Sequence, residues 1–311
     1  MLDSGPLLIA SPLVTDEACF SVPAVRAIHF AQPDRPLTIV CADEFVPLWQ
    51  TVTGVTEVIA HSASASPRKI AKLLGEHSQS LVWEDSPAAA AFAKKGIPKR
   101  FGPSVDKLSK QLTDTIEVRK SSGPVEHRVK EYLKLAEKLG AQAFDAANFQ
   151  TPPRASLPQL LRIGIAPGSD FGPSAEWSLD NFRELIRQLA AEFFIFESPG
   201  KPSAARKLSD LGTVIAEEHA FRELASCHLL IGNDGSLPHL AAHSGTPCVV
   251  IFGPNEPAWK RPLGTIHRIV HERVACSSCF LNKCQIDHRC MTEIDVERVR
   301  TEAEALIQTL S

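Results

Sequence analysis

Residues 229–253, LLIGNDGSLPHLAAHSGTPCVVIFG, constrain the fold more than any other stretch, because two apolar runs flank a polar turn and a short helical pattern. Leu229-Leu230-Ile231 reads as one strand and the β-branched run 248–252 as the next. Between them, Asp234 or Ser236 suits a helix cap, Leu237, Leu240 and Ala241 follow helical spacing, and Gly245 with Pro247 ends the helix. Pro238 falls in the first turn, where a missing N–H costs nothing. Strand, helix, strand in this order is a crossover between parallel strands. Gly232 and Gly235 flank Asn233-Asp234, so backbone amides at the helix start are open to a ligand, the arrangement that binds phosphate. His239, one turn further, points back toward that end. The same residues also suit an ordinary crossover whose polar turn only caps its helix.

The alternation recurs along the chain. Strands are expected at 7–10, 37–41, 55–60, 81–83 and 97–101, then at 161–166 and 193–196. A helix carrying Val25 and Ile28 either kinks or restarts at Pro23. Another over 125–139 turns Val129, Tyr132, Leu133, Ala136 and Leu139 to one face, and a third over 179–191 buries Phe182, Leu185, Ile186 and Leu189. The Pro-rich stretch 146–158 lacks apolar periodicity and reads as a linker. The expected fold is therefore α/β, two doubly wound domains over 1–152 and 153–311, with parallel sheets facing an interdomain cleft. Ligands in such sheets bind beyond the carboxyl ends of the strands, which singles out the loops 11–17, 167–177 and 232–236. No GxGxxG follows a strand and no GxxxxGK[ST] occurs, which argues against a nicotinamide dehydrogenase and a P-loop enzyme.

A net charge of −3 gives no electrostatic case for nucleic acid or a membrane as main partner. No apolar run approaches the ~20 residues of a membrane span, and the four apolar residues 7–10 behind Asp3 make no signal peptide, so a soluble, cytoplasmic protein is expected. Eight cysteines in such a chain are not a disulfide framework. Cys19, Cys41, Cys227 and Cys248 sit singly in apolar segments and read as core residues. Cys276, Cys279, Cys284 and Cys290 cluster, with His288 among them, as a candidate tetrahedral thiolate site for structural zinc or a reduced, partly packed loop.

Four segments, SPLVTDEACFSVPAVRAI (11–28), APGSDFGPSAEW (166–177), NDGSLPHLAAHSGTPCVVIFGPNEP (233–257) and CSSCFLNKCQIDHRCMTEIDVERV (276–299), together resemble the heptosyltransferases of glycosyltransferase family 9. The resemblance implies a GT-B fold of two Rossmann-like domains, the first holding the acceptor and the second the nucleotide-sugar donor. It implies inverting transfer of a heptose from ADP-heptose to a lipopolysaccharide core sugar hydroxyl, with no cofactor for catalysis, no nucleic acid, and a place in the cytoplasm or at the periphery of the inner membrane. The base would be Glu17, and Ser169, Asp234, Gly235, Ser236, Leu237 and His239 would hold the donor. Three positions depart from the family pattern. Its Gly-Asp pair falls on Asp16-Glu17, its Lys before Trp177 on Ala175 with Glu176 at a neighbouring basic position, and its Asp-Ser/Thr-Gly order becomes Asp234-Gly235-Ser236. Loss of a charge that stabilises the transition state costs roughly 3 kcal/mol. Lys201, Lys260 or Arg261 could supply it instead; otherwise the chain is a diverged member that binds a nucleotide or sugar without turnover.

Overall fold

The first half forms six strands, β1 (Leu7–Ala10), β2 (Leu37–Ala42), β3 (Val55–His61), β4 (Gln79–Leu81), β5 (Lys99–Pro103) and β6 (Asp114–Ile116), of which β4 and β5 are displaced by two residues from the expected 81–83 and 97–101 and β6 follows no expected run. They pair in parallel in the order β3-β2-β1-β4-β5-β6. The second half repeats the plan with β7 (Arg162–Ala166), β8 (Glu192–Phe196), β9 (Thr213–Ile215), β10 (Leu229–Asn233), β11 (Cys248–Phe252) and β12 (Arg268–His271). Its order, β12-β11-β10-β7-β8-β9, is the same winding read from the other edge, again parallel throughout. The computed structural model describes residues 5–117, 124–152, 154 and 157–310, and the chain divides into two compact units, Met1–Gln150 and Thr151–Ser311.

In each unit the chain winds from its first strand to one edge and then crosses to the other side of that strand. The reversal falls between β1 and β4 in the first unit and between β7 and β10 in the second. Loops leaving neighbouring strands in opposite directions open a crevice at such a point. The loop 11–17 follows β1, and the loops 167–177 and 232–236 follow or end β7 and β10, so all three candidate loops lie at a winding reversal.

Parallel strands covered on both faces are apolar along their whole length. On β10, Leu229 and Ile231 pack with Phe182, Leu185 and the Val299, Ala303 and Leu306 side of helix Val296–Gln308, while Leu230 packs with Phe196, Leu237 and Phe252 on the opposite face. In the first unit Leu8, Ala10 and Val40 meet Ile70 and Phe92. Burying each Leu or Ile in this way contributes roughly 1.5–3 kcal/mol before entropy is set against it.

Helix Thr15–Ala31 runs on through Pro23. Helix Leu179–Gln188 is capped by Ser178 and buries Phe182, Leu185 and Ile186 as its spacing predicts. Helix Val129–Lys138 is shorter than the expected 125–139, because residues 127 and 128 form the turn that leads into it. The Pro-rich stretch begins with a 3-10 turn, Ala146–Phe149, whose buried Asn148 donates to the carbonyls of Gln142 and Ala143, so its first residues pack within the first unit. Residues 153, 155 and 156 of that stretch, and Asp3, lie outside the described residues. Among the described residues no helix is long and apolar enough to cross a membrane.

Candidate functional site

Two clusters of polar side chains occupy the two winding reversals. In the second unit, Asn233 ends β10, buried, with its side chain accepting the Trp177 N–H at 2.9 Å and donating to the Pro167 carbonyl at 2.7 Å. One side chain thus fixes the loop after β7 against the turn after β10. Asp234 is 1 % exposed; its Oδ2 accepts from Asn255 at 2.6 Å, and Lys260 Nζ lies 4.0 Å from Oδ1. Lys260 is itself buried and stands over the Phe171 ring, 5.9 Å from its centroid. A buried ammonium is tolerated only beside such partners.

The helix Ser236–His243 starts after Gly235, and neither expected residue caps it. Asp170, from the loop after β7, does so instead: its Oδ1 accepts the Ser236 N–H at 2.8 Å and its Oδ2 accepts the Ser236 hydroxyl. A carboxylate at a helix N-terminus satisfies orphan amides and meets the positive end of the dipole. A Cβ on Gly235 would come within 2.6 Å of Asp170 Oδ1, so this glycine admits the capping carboxylate. Gly232, by contrast, is a packing glycine, since a Cβ there would lie 2.5 Å from that of Ala166.

Ser169 is fully buried, donating its hydroxyl to the Asp234 carbonyl at 2.5 Å and accepting the Phe171 N–H at 3.2 Å. Leu237 belongs to the core cluster under the helix, and His239 is buried. Ala175 is buried and uncharged in a 3-10 turn, while Glu176 faces Lys201 at 3.5 Å and accepts the Ser169 N–H at 3.4 Å. Of the three cations considered as stand-ins, Lys201 is engaged with Glu176, Arg261 is exposed, and Lys260 is the one brought to the turn.

In the first unit Glu17 lies in the first turn of helix Thr15–Ala31, where a negative charge suits the dipole. Its side chain is 15 % exposed. Oε1 accepts Arg128 Nε at 2.8 Å and Nη2 at 2.6 Å, and Oε2 accepts the Tyr132 hydroxyl at 2.5 Å. Burial raises the Tyr132 phenol well above its ordinary value and Glu17 adds to the shift; burial lowers the Arg128 guanidinium, but Glu17 and Glu131 bring it out raised. Glu84, after β4, accepts the Leu13 N–H at 2.7 Å and so joins the loops on either side of the reversal. Burial, helped by the charges of Glu17 and Asp16, pushes its carboxyl above the usual range. Arg128, Tyr132, Glu84 and Asp170 carry no local sequence signal as site residues, because each meets its partner across at least 66 positions.

Burial also explains the cysteines. The single thiols behave as core residues, with Cys41 and Cys227 each pushed up to about 12. In the cysteine loop none of the four thiols is joined in a disulfide, and Cys290 is pushed up to about 11 by burial and by the nearby Cys276, Cys284 and Cys279. The Ile286 N–H points at Cys284 Sγ, 3.5 Å away. Ser278, Phe280 and His288 take left-handed backbone conformations. Among the described residues no three His, Cys, Asp or Glu side chains are grouped as a metal cage. The loop is pinned to the candidate loop 167–177 and to the segment after β11: Ser174 N–H to the Asn282 carbonyl at 3.2 Å, His288 to the Ser174 carbonyl at 2.7 Å, and Ser278 to Glu256 at 2.9 Å.

The fold of this chain has counterparts among known proteins. The solved structure of Escherichia coli ADP-heptose lipopolysaccharide heptosyltransferase II is 21% identical, with a TM-score of 0.80 over 98% of this chain and 99% of that one. The family 9 glycosyltransferase from Veillonella parvula is 16% identical, with a TM-score of 0.83 over 99% of both chains. At such identities the likeness is one of fold, and it extends over both units. The curated lipopolysaccharide heptosyltransferase 2 of Salmonella typhimurium is 27% identical over 165 residues, 47% of this chain and 46% of its own, so the match spans about half of that relative's length. The profile of glycosyltransferase family 9 (heptosyltransferase) matches residues 68–289, well over half of the sequence and including the turn at Asn233–Ser236, and on that ground the chain belongs to glycosyltransferase family 9.

Proposed function

We propose that this protein moves a heptose from ADP-heptose to a sugar hydroxyl of a lipopolysaccharide core, with inversion at the transferred carbon. The observation that carries the reading is the turn after β10, where buried polar residues, the amides opening helix Ser236–His243 and the ammonium of Lys260 gather at a winding reversal. Amides at a helix start and a buried cation are the groups that stabilise a departing diphosphate. Asp234 orients the turn rather than touching phosphate, since two anions in contact repel. Gly235, Ser236, Leu237 and His239 form the donor side, with Ser169 bracing it. Glu17 takes the acceptor proton, the acceptor oxygen bonds to the sugar carbon, and the sugar–phosphate bond breaks toward ADP.

No cofactor enters these steps. The thiols of Cys276, Cys279, Cys284 and Cys290 have the donor chemistry for one structural zinc, but among the described residues they are not grouped as a cage, so binding would have to draw the loop together. Such a zinc would brace the loops that carry Ser174 and Glu256. No nucleic acid is a partner in this reading, and the protein works in the cytoplasm, against the inner membrane where its acceptor is anchored.

A second reading, binding of a nucleotide or sugar without turnover, is favoured by one feature: Ala175 and Glu176 leave the loop after β7 without the cations of the family pattern. Incubation with ADP-heptose and a core oligosaccharide acceptor separates the two. Release of ADP with formation of the inverted glycoside, abolished in Glu17→Ala, is the expected result; ADP binding with no transfer by the unaltered protein selects the second reading. Metal analysis of the same preparation tests the zinc, with about one equivalent per chain expected and none overturning it.

A further inference from the structure

In the first unit the carboxylate of Glu17 is gripped by two residues on another helix. Arg128 places Nε and Nη2 on the same oxygen, Oε1, at 2.8 and 2.6 Å, and the Tyr132 hydroxyl donates to Oε2 at 2.5 Å. An ionised carboxylate offers about four lone-pair directions. Two N–H groups saturate Oε1, so the direction left open belongs to Oε2. Both gripping residues are themselves held. Tyr132 is buried with its ring edge-on to Trp83, 5.3 Å between centroids, and Arg128 gives its remaining Nη1 to Glu131 at 3.0 Å. Among the described residues, the other ionisable groups facing the cluster are Glu84 from the loop after β4, Asp16 on the same helix, and His127, whose ring packs on Phe20 at 5.0 Å.

We propose that Arg128 and Tyr132 are positioning residues for glycosyl transfer, which lock the Glu17 carboxylate so that Oε2 alone faces the acceptor hydroxyl. This rests on Glu17 being the proton acceptor, as read under the proposed function. It also gives a reason for Glu at a position where the family pattern has Asp. The partners sit on the neighbouring helix, and a side chain one methylene shorter withdraws the carboxylate by about 1 Å, a misplacement that can cost about 100-fold in rate. In the transfer step the acceptor O–H proton passes to Oε2 while its electron pair forms the new C–O bond, and the electrons of the broken sugar–phosphate bond leave on ADP.

Steady-state kinetics of Arg128→Ala, Arg128→Lys, Tyr132→Phe and Glu17→Asp, each with its thermal midpoint, test the proposal. The expected result is a kcat lowered at least tenfold in Arg128→Ala with KM for donor and acceptor within about twofold, the pattern of a contact that acts on the reacting group. Added guanidinium ion should restore part of the Arg128→Ala loss, and Arg128→Lys should stay impaired because an ammonium cannot place two N–H groups on one oxygen in this plane. Glu17→Asp should lose more than Tyr132→Phe. A kcat for Arg128→Ala within twofold of the unaltered protein, or a loss that tracks the folded fraction and does not respond to guanidinium, overturns the proposal and leaves the transferase reading intact. Absence of transfer by the unaltered protein removes that reading, and the proposal with it.

Discussion

At the scale of single residues, the unexpected occupant of the donor side is Asp170. Its carboxylate holds both the N–H and the hydroxyl of Ser236, the groups that the proposed function assigns to an incoming diphosphate. Asp170 is exposed, so it can swing out, but it leaves behind an anion next to any bound phosphate. Two effects of Asp170→Ala follow with opposite signs. Loss of a cap at a helix N-terminus lowers stability by about 1 kcal/mol. Removal of the competing charge strengthens ADP binding by about tenfold, the equivalent of roughly 1.4 kcal/mol. Calorimetric titration with ADP alongside thermal unfolding reads both; ADP binding that weakens or stays unchanged would show that the diphosphate does not use the Ser236 donors.

At the scale of elements, the approach to β12 carries a built-in acid sensitivity. His267 donates through Nε2 to the Leu263 carbonyl, 2.9 Å away, and its Nδ1 is buried without a partner. A second ring proton would therefore sit on a nitrogen with no acceptor, and burial lowers the imidazole from its ordinary 6.5 to about 4. Between those values the unfolded chain binds more protons than the folded one, so stability rises with pH across that window and is lost on acidification. The loss attributable to His267 is at most about 3 kcal/mol, reduced because the ring is partly exposed. Urea unfolding at pH 4.5 and 7 should show a shallower difference in His267→Gln than in the unaltered protein; equal differences would exclude the histidine as the cause. The same contrast between local and distant partners decides what the sequence reveals. Strands β10 and β11 and the helix between them follow from apolar spacing within residues 229–253, and β7 from the run 161–166, and the structure has them there. The three-residue edge strands β6 and β9 give no usable period. Grips such as Arg128 on Glu17, 111 positions apart, and Asp170 on Ser236, 66 apart, exist only once the sheet has formed.

At the scale of the whole molecule, one winding order is used twice and furnished with opposite chemistry. The first unit brings the carboxylates of Asp16, Glu17 and Glu84 to its reversal, and the second brings helix-start amides and Lys260 to its own. In the proposed function the first set takes the acceptor proton and the second holds the phosphate. Nucleotide affinity should then reside in Thr151–Ser311 alone, since every donor-side contact described lies within that unit. A piece of about 160 residues with its own two-faced core is large enough to fold by itself. Expressed separately, residues 151–311 should unfold cooperatively and bind ADP with a Kd within about threefold of the full chain, while residues 1–150 should bind none; a threefold change is only about 0.7 kcal/mol. A folded 151–311 fragment that fails to bind ADP would mean that the first unit supplies part of the nucleotide site, and the division of acceptor and donor chemistry between the two sheets would have to be abandoned.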